Sequence, residues 1–287
     1  MFACIRKDRL KTRTGSAYLA LELRDKTGSV QARAFRDADA LAGLFERGDL
    51  VSVIGRVERF RDELTVEVSD IRRAGEAGSD EAQTIVMQEF LPVAYRDMEE
   101  LDGFLEHLAH EVYDPGYKAL LDSVLADGQL RDAFRRTPCT RNGHHAYLGG
   151  LLEHTVAVAT LARELCDLHR RLNSDLLLTA AIVHDIGRIR EFTYGAEIGL
   201  TEQGRMLGHL ALGQQMLAER FASLAALDEA RQLALLHCVL SHHGASSAPG
   251  GRFASPEALA LYRVNALDAG VKGVLEHGFG AGEEGRN

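Results

Sequence analysis

Residues 182–192 read IVHDIGRIREF: an apolar run ends in an adjacent imidazole and carboxylate, His184 and Asp185, with a glycine two residues later. A helix that ends there with both side chains turned inward holds either a hydrogen-bonded core pair or part of a metal site. Eleven residues do not decide between them, because a histidine beside an aspartate is a frequent coincidence. The decision rests on what else the chain carries at matching intervals.

Around this stretch the apolar residues recur at helical spacing in 98–112, 151–169, 174–185, 201–221, 228–244 and 255–270. Asp228 and Ser255 are suited to N-caps and Pro256 to a first helical turn, while Gly187 and Gly244 can take the left-handed conformation that ends helices. These signals predict an all-α domain over 91–275, followed by a flexible glycine-rich tail, 276–287. The front of the chain has a different texture. SAYLALELRD (16–25) alternates apolar and polar residues, KTGSV turns, and VQARAF resumes the alternation. GDLVSVIGRVERF and LTVEVSDI flank the turn RDE, so residues 1–73 predict at least four short strands in a small all-β barrel, and the acidic, glycine-rich 74–90 predicts a linker.

Composition narrows the function classes. At 287 residues, 46% hydrophobic and 26% charged, the balance is that of a soluble globular chain. No apolar run approaches the ~20 residues of a membrane span, and MFACIRKDRL lacks a signal-peptide core, so a cytoplasmic protein with no membrane partner is expected. Cys4, Cys139, Cys166 and Cys238 form no C-x-x-C pair, which argues against a disulfide framework or a zinc ribbon. The net charge of −9 excludes an all-over basic nucleic-acid binder. The charge is uneven, however: residues 1–73 hold 15 Lys/Arg against 12 Asp/Glu, and 74–119 hold 2 against 11.

Most of the twelve histidines fall between 144 and 243. His154, the pair His184–Asp185, His209, the pair His242–His243 and Asp268 follow one another at separations of 30, 25, 33 and 25 residues. Each interval is about one helix plus a loop, so each candidate comes from its own element, and helices of a bundle can aim such side chains at one point. Imidazole mixed with carboxylate suits transition metals and manganese. A single histidine on an apolar helix is more often a hydrogen-bonded core residue, the reading kept for His107, His110, His169, His237 and His277.

HHAYLGGLLEHT (144–155), IVHDIGRIREF, TEQGRMLGHLALG (201–213), LSHHGA (240–245) and EALALYRVNALDAG (257–270) together resemble the HD-domain metal-dependent phosphohydrolases, in the variant whose extra histidines hold two metals. With YLALELRDKTGSVQARAF (18–35) in front, the chain is similar to bacterial YhaM-type 3′-5′ exoribonucleases, which join an OB fold to an HD domain. The resemblance implies a multidomain chain: an N-terminal all-β OB-fold barrel followed by an all-α HD-domain helical bundle. It implies His154, His184, Asp185 and Asp268 on a first metal and His209, His242 and His243 on a second, with Asp185 bridging. Manganese is the metal favoured by resemblance; iron, cobalt and nickel are alternatives. Asp185 and Arg188 would be catalytic, Arg188 standing where the family commonly has a lysine and holding a phosphate. His144 and His145 would touch substrate or support the ligands. Metal-activated water would release nucleoside 5′-monophosphates from single-stranded RNA, with DNA a second substrate and a homo-oligomer the expected assembly.

An OB fold binds single strands by stacking bases on aromatics along a basic groove. Tyr18, Phe35 and Phe60 are the candidates, with Arg33 beside Phe35 on one strand face and Arg24, Lys26, Arg56, Arg59 and Arg61 nearby. Core packing is the alternative for each aromatic, and Phe35 stands where the resemblance would put tryptophan. Two other functions stay open on the residues: an HD-type phosphohydrolase of nucleotides or cyclic dinucleotides, and a nucleic-acid-binding adaptor with a structural metal.

Overall fold

The computed structural model describes residues 1–12, 14–25, 28–60, 63–74, 90–194 and 197–279. The chain divides into two compact units, residues 1–92 with 194–199, and 93–193 with 200–287.

The front unit has five strands, where at least four were expected: β1 (Phe2–Lys11), β2 (Ala17–Asp25), β3 (Gly28–Ala34), β4 (Leu50–Phe60) and β5 (Glu63–Arg73). They close into a barrel in the order β1-β2-β3-β5-β4, antiparallel throughout except for the parallel β3–β5 pair. The alternation in β2 sends Leu19, Leu21 and Leu23 into the barrel, opposite Ala34, Ala32 and Val30 of β3. Large residues facing small ones suit the narrow interior of a small barrel. A short helix, α1 (Ala38–Ala42), adds Leu41 to the same core.

β1 escapes the alternation rule because both faces of its start are covered. Cys4 points into the barrel, Ala3 packs beneath Phe90, and a register shift follows between Cys4 and Arg6. Phe90, expected to close the linker, is thus a packed residue; residues 75–89 lie outside the described residues.

The second unit contains α2 (Met98–His110), α3 (Pro115–Leu125), α4 (Gly128–Arg136), α5 (Gly150–Leu168), α6 (Ser174–Val183), α7 (Arg188–Glu191), α8 (Glu202–Phe221), α9 (Glu229–Ser241) and α10 (Pro256–His277). Asp228 and Ser255 cap α9 and α10 as expected, each accepting a backbone N–H from three residues on. α6 is apolar on all sides and wholly buried from Leu176 to Val183, so it forms the centre of the bundle. Three features depart from the expected all-α domain. A hairpin of β6 (Phe192–Tyr194) and β7 (Ile198–Leu200) interrupts it; α8 kinks at Gly208, whose φ is 68°; and α10 continues to His277, two residues into the expected tail.

Gly244 has the positive φ predicted for it (117°), but Gly187 does not: its φ of −64° is helical. Its glycine is required by a close approach instead. A Cβ there would lie 2.0 Å from the His209 carbonyl oxygen and 2.5 Å from the Gly213 nitrogen, so only glycine lets α7 rest on α8. Gly187→Ala is expected to lower the thermal midpoint, with an overpacking cost of about 1–3 kcal/mol. A circular-dichroism melt checks this, and an unchanged midpoint would contradict it.

Candidate metal centre

His184 still has helical φ and ψ as the C-cap of α6, and the chain then turns into α7. The turn carries Asp185 inward beside His184, leaving the two residues 3% and 0% exposed. α5 brings His154 to them, α8 brings His209, and the end of α9 brings His242 and His243.

The backbone fixes two of these imidazoles. His184 Nδ1 lies 2.8 Å from the Ala181 carbonyl oxygen and His242 Nδ1 2.6 Å from that of Val239. A carbonyl only accepts, so each Nδ1 carries the proton and each Nε2 turns a lone pair inward. Asp185 Oδ1 is 3.4 Å from both His242 Nε2 and His209 Nε2, and His209 Nε2 is 2.8 Å from His243 Nε2. On the other side, Asp185 Oδ2 is 3.7 Å from His184 Nε2 and 3.9 Å from His154 Nε2.

The donor set fits a metal. Asp185 Oδ1 and His242 Nε2 are buried without a hydrogen-bond partner, a costly arrangement for two acceptors unless a cation satisfies them. Ligands ~2.1 Å from one ion sit roughly 3.0–3.4 Å from each other at octahedral to tetrahedral angles, the spacing found around Asp185 Oδ1.

Of the sequence-predicted ligands, His209, His242 and His243 gather with Asp185 as expected, while Asp268 is grouped differently. Asp185, His209, His242 and His243 form one set and Cys139, His154 and Asp185 another. Asp268 joins His144, His145 and His154 instead of His184 and Asp185. Its Oδ2 lies 2.6 Å from His154 Nδ1, on the far side of that ring from His184, and 3.0 Å from His145 Nε2.

Arg188 is already engaged. Its Nη1 donates to Glu191 Oε2 at 2.8 Å, and its Nε is 3.3 Å from Asp185 Oδ2 without the alignment of a hydrogen bond. The guanidinium is nearly buried and faces the carboxylates of both Asp185 and Glu191.

Burial pushes the Asp185 carboxyl up, but Arg188, then His184, His242 and His209, draw it well below the usual carboxylate range. Burial takes the His184 imidazole down to about 3 against the opposing charge of Asp185, and lowers His209 with help from Arg188. Burial thus holds His184 and His209 toward the neutral form, and Arg188 is the foremost charge that keeps Asp185 ionised. Burial, then Asp185, raises Cys139 far above an ordinary thiol, so its Sγ, 3.7 Å from Asp185 Oδ2, remains an S–H donor.

Sequence reasoning missed Glu191, which accepts from Arg188 and from the His209 backbone N–H at 3.1 Å. It also missed Asn265, which meets His154 Nε2 at 3.0 Å and donates to the His242 carbonyl. Both stand three residues from a recognised position on the same helix, a spacing that could have exposed them. His110 bonds the Glu106 carbonyl one turn back, His237 accepts from the Ala254 N–H and His277 meets the Gly143 carbonyl, and none of the three is a core residue.

On the barrel, Tyr18 and Phe35 stack with ring centroids 5.3 Å apart, and neither lies in the core; Phe35 is 46% exposed. Arg33 faces outward between the buried Ala32 and Ala34. The Phe60 side chain, Lys26 and Arg61 lie outside the described residues, while Arg56 and Arg59 are exposed.

Comparison with known proteins agrees with this division. Residues 5–74 match the OB-fold nucleic acid binding domain family, and residues 151–270 match the HD domain family. Among curated proteins, the chain is 27% identical to the 3′-5′ exoribonuclease YhaM of Bacillus velezensis, over 89% of this chain and 79% of that protein. It is 26% identical to the YhaM proteins of Listeria welshimeri (92% and 83% covered) and Bacillus subtilis (89% and 79%). Among the described residues, no helix is long and apolar enough to cross a membrane.

The buried neutral imidazoles impose a pH dependence. A free histidine titrates near 6.5, so between there and the lowered value of His184 the unfolded chain binds a proton that the folded one refuses. That stability is fully present above about pH 6.5 and falls with pH, by about 1.4 kcal/mol per pH unit for each such imidazole. The melting temperature of metal-stripped protein should therefore drop steadily from pH 7 to pH 5; a flat or rising profile would contradict the neutral assignment.

Proposed function

We propose that this chain, an OB-fold nucleic acid binding domain joined to an HD domain and similar over 89% of its length to a bacterial 3′-5′ exoribonuclease, is itself a metal-dependent 3′-5′ exoribonuclease of single-stranded RNA. The observation that carries this reading is the inward-facing set around Asp185, in which a buried carboxylate oxygen and a buried imidazole nitrogen have no hydrogen-bond partner.

Two divalent ions, manganese before iron, cobalt or nickel, suit this set. His184, Asp185 and His154 Nε2 would hold one, while Asp268 faces Nδ1 on the far side of the His154 ring; Asp185, His209, His242 and His243 would hold the other. Such ions lower the pKa of a bound water toward neutrality and neutralise phosphodiester oxygens. The protein's part is to keep the donors deprotonated and fixed. Ala181 and Val239 set the tautomers of His184 and His242, and Arg188 keeps Asp185 charged. Glu191 holds Arg188 and the His209 backbone together. Arg188 is thus first a counter-ion, and any phosphate contact uses the donors left over from Glu191 and Asp185. Attack of water on the last phosphodiester expels the 3′ oxygen of the penultimate nucleotide and releases a nucleoside 5′-monophosphate.

The Tyr18–Phe35 stack offers the bases a π-face, with Arg33 outward on the adjoining strand to meet the backbone. His144 and His145 flank the centre from the loop before α5. A cytoplasmic homo-oligomer that also accepts single-stranded DNA belongs to the same reading. A phosphohydrolase of cyclic dinucleotides would have the same metal chemistry but no use for the exposed aromatic stack.

With Mn²⁺, a 5′-labelled single-stranded RNA is expected to shorten one nucleotide at a time from its 3′ end, with chelator or Asp185→Asn stopping the reaction. Cleavage of cyclic dinucleotides with RNA left intact would favour the alternative enzyme. In a binding titration, Phe35→Ala should weaken RNA affinity by about 1–3 kcal/mol, roughly 5- to 150-fold. Unchanged affinity would remove the stack from the binding surface.

A further inference from the structure

His145 has a left-handed backbone, φ 51°, which is strained for any residue but glycine and is retained at sites that need it. The loop is built around it. Its backbone N–H donates to Glu276 Oε2 at 3.0 Å, and its carbonyl accepts from the Cys139 N–H at 3.1 Å. A Cβ on Gly150 would come within 2.1 Å of the same carbonyl oxygen. The residue is 1% exposed.

A hydrogen-bond chain decides which ring nitrogen carries the proton. Lys272 Nζ donates to Glu153 Oε1 at 2.9 Å, and the Tyr147 hydroxyl donates to Glu153 Oε2 at 2.9 Å. The single phenolic proton is thereby used, so Tyr147 can only accept from His145 Nδ1, 2.8 Å away. With its proton on Nδ1, His145 turns the Nε2 lone pair toward Asp268 Oδ2 at 3.0 Å. Two acceptors at that distance repel unless a cation or a proton lies between them. A histidine with one nitrogen anchored to a carboxylate-backed donor chain and the other free is built like a metal ligand. His184 and His242 follow the same rule with backbone carbonyls.

We propose that His145 is a metal ligand, its Nε2 binding a divalent cation together with Asp268 on the Nδ1 side of the His154 ring, and that Glu153 and Tyr147 position it for that bond. The proposal rests on the metal-dependent reading above but adds a donor from outside the H–HD–H–HH–D series. It also accounts for the company Asp268 keeps, with His145 rather than with Asp185.

The test is Mn²⁺ binding followed by EPR, with a metal count, in the wild-type full chain, His145→Ala and Tyr147→Phe. His145→Ala is expected to weaken Mn²⁺ binding at one site by about 10- to 100-fold, and Tyr147→Phe to weaken the same site toward the lower end of that range. Pulsed EPR of the wild-type Mn²⁺ protein should show a nitrogen coupling that His145→Ala lacks. If His145→Ala fails to fold, Tyr147→Phe and selective ¹⁵N labelling of histidine in the wild type carry the same test. Variants that titrate like wild type, or a wild type that binds no Mn²⁺, would overturn the assignment. RNA hydrolysis separates the two levels. Wild type that degrades RNA with Mn²⁺ affinity unaltered by His145→Ala sinks only this inference, whereas Mn²⁺ bound through His145 without RNA hydrolysis sinks only the functional reading.

Discussion

The helical unit is organised around one buried charge, the Asp185 carboxylate, 3% exposed among imidazoles. An ionised carboxylate in such a place is strongly unfavourable unless charge and hydrogen bonds compensate it. Arg188 supplies the charge, and Glu191 holds Arg188 in place. Burial disfavours positive charge on His184 and His209, so much of the compensation is reserved for cations. Asp185 Oδ1 and His242 Nε2, each buried without a partner, mark where that reserve lies.

The surrounding packing follows from this requirement. α6 must end where two adjacent side chains can both turn inward, and the turn after it must lie against α8 closely enough to bring His209 within 3.4 Å of Asp185. Gly187 permits that approach because it has no side chain. Tautomers are fixed by the backbone: the helix ends that would leave carbonyls unpaired spend them on His184 and His242 Nδ1. One geometric feature, a histidine at a helix C-terminus, thus satisfies the backbone and orients a lone pair.

How far the sequence could be read depended on how local each constraint was. The helices carrying His154, His209 and His242 were legible because periodicity and caps are local, and the ordered histidine series was legible because it is a pattern of intervals. β1 was not, since its start is covered on both faces, by the barrel and by Phe90. Nor was the hairpin at 192–200, whose strands have three residues each and too little length to alternate. Gly187 was singled out for the wrong reason, because its constraint comes from α8 and not from its own φ. Glu191 and Asn265 stand three residues from Arg188 and Asp268 on the same helices, but what they do, meeting the His209 backbone and the His154 ring, is set by contacts across helices, as is the company of Asp268.

The central claim is that Asp185 is the shared carboxylate of a divalent-metal centre. Anomalous diffraction at the manganese edge from crystals grown with Mn²⁺ tests it most directly. Two anomalous peaks flanking the Asp185 carboxylate, one toward His154 and one toward His209 and His242, are the predicted result. Peaks only at surface acidic residues, with Asp185 contacting no ion, would contradict the account.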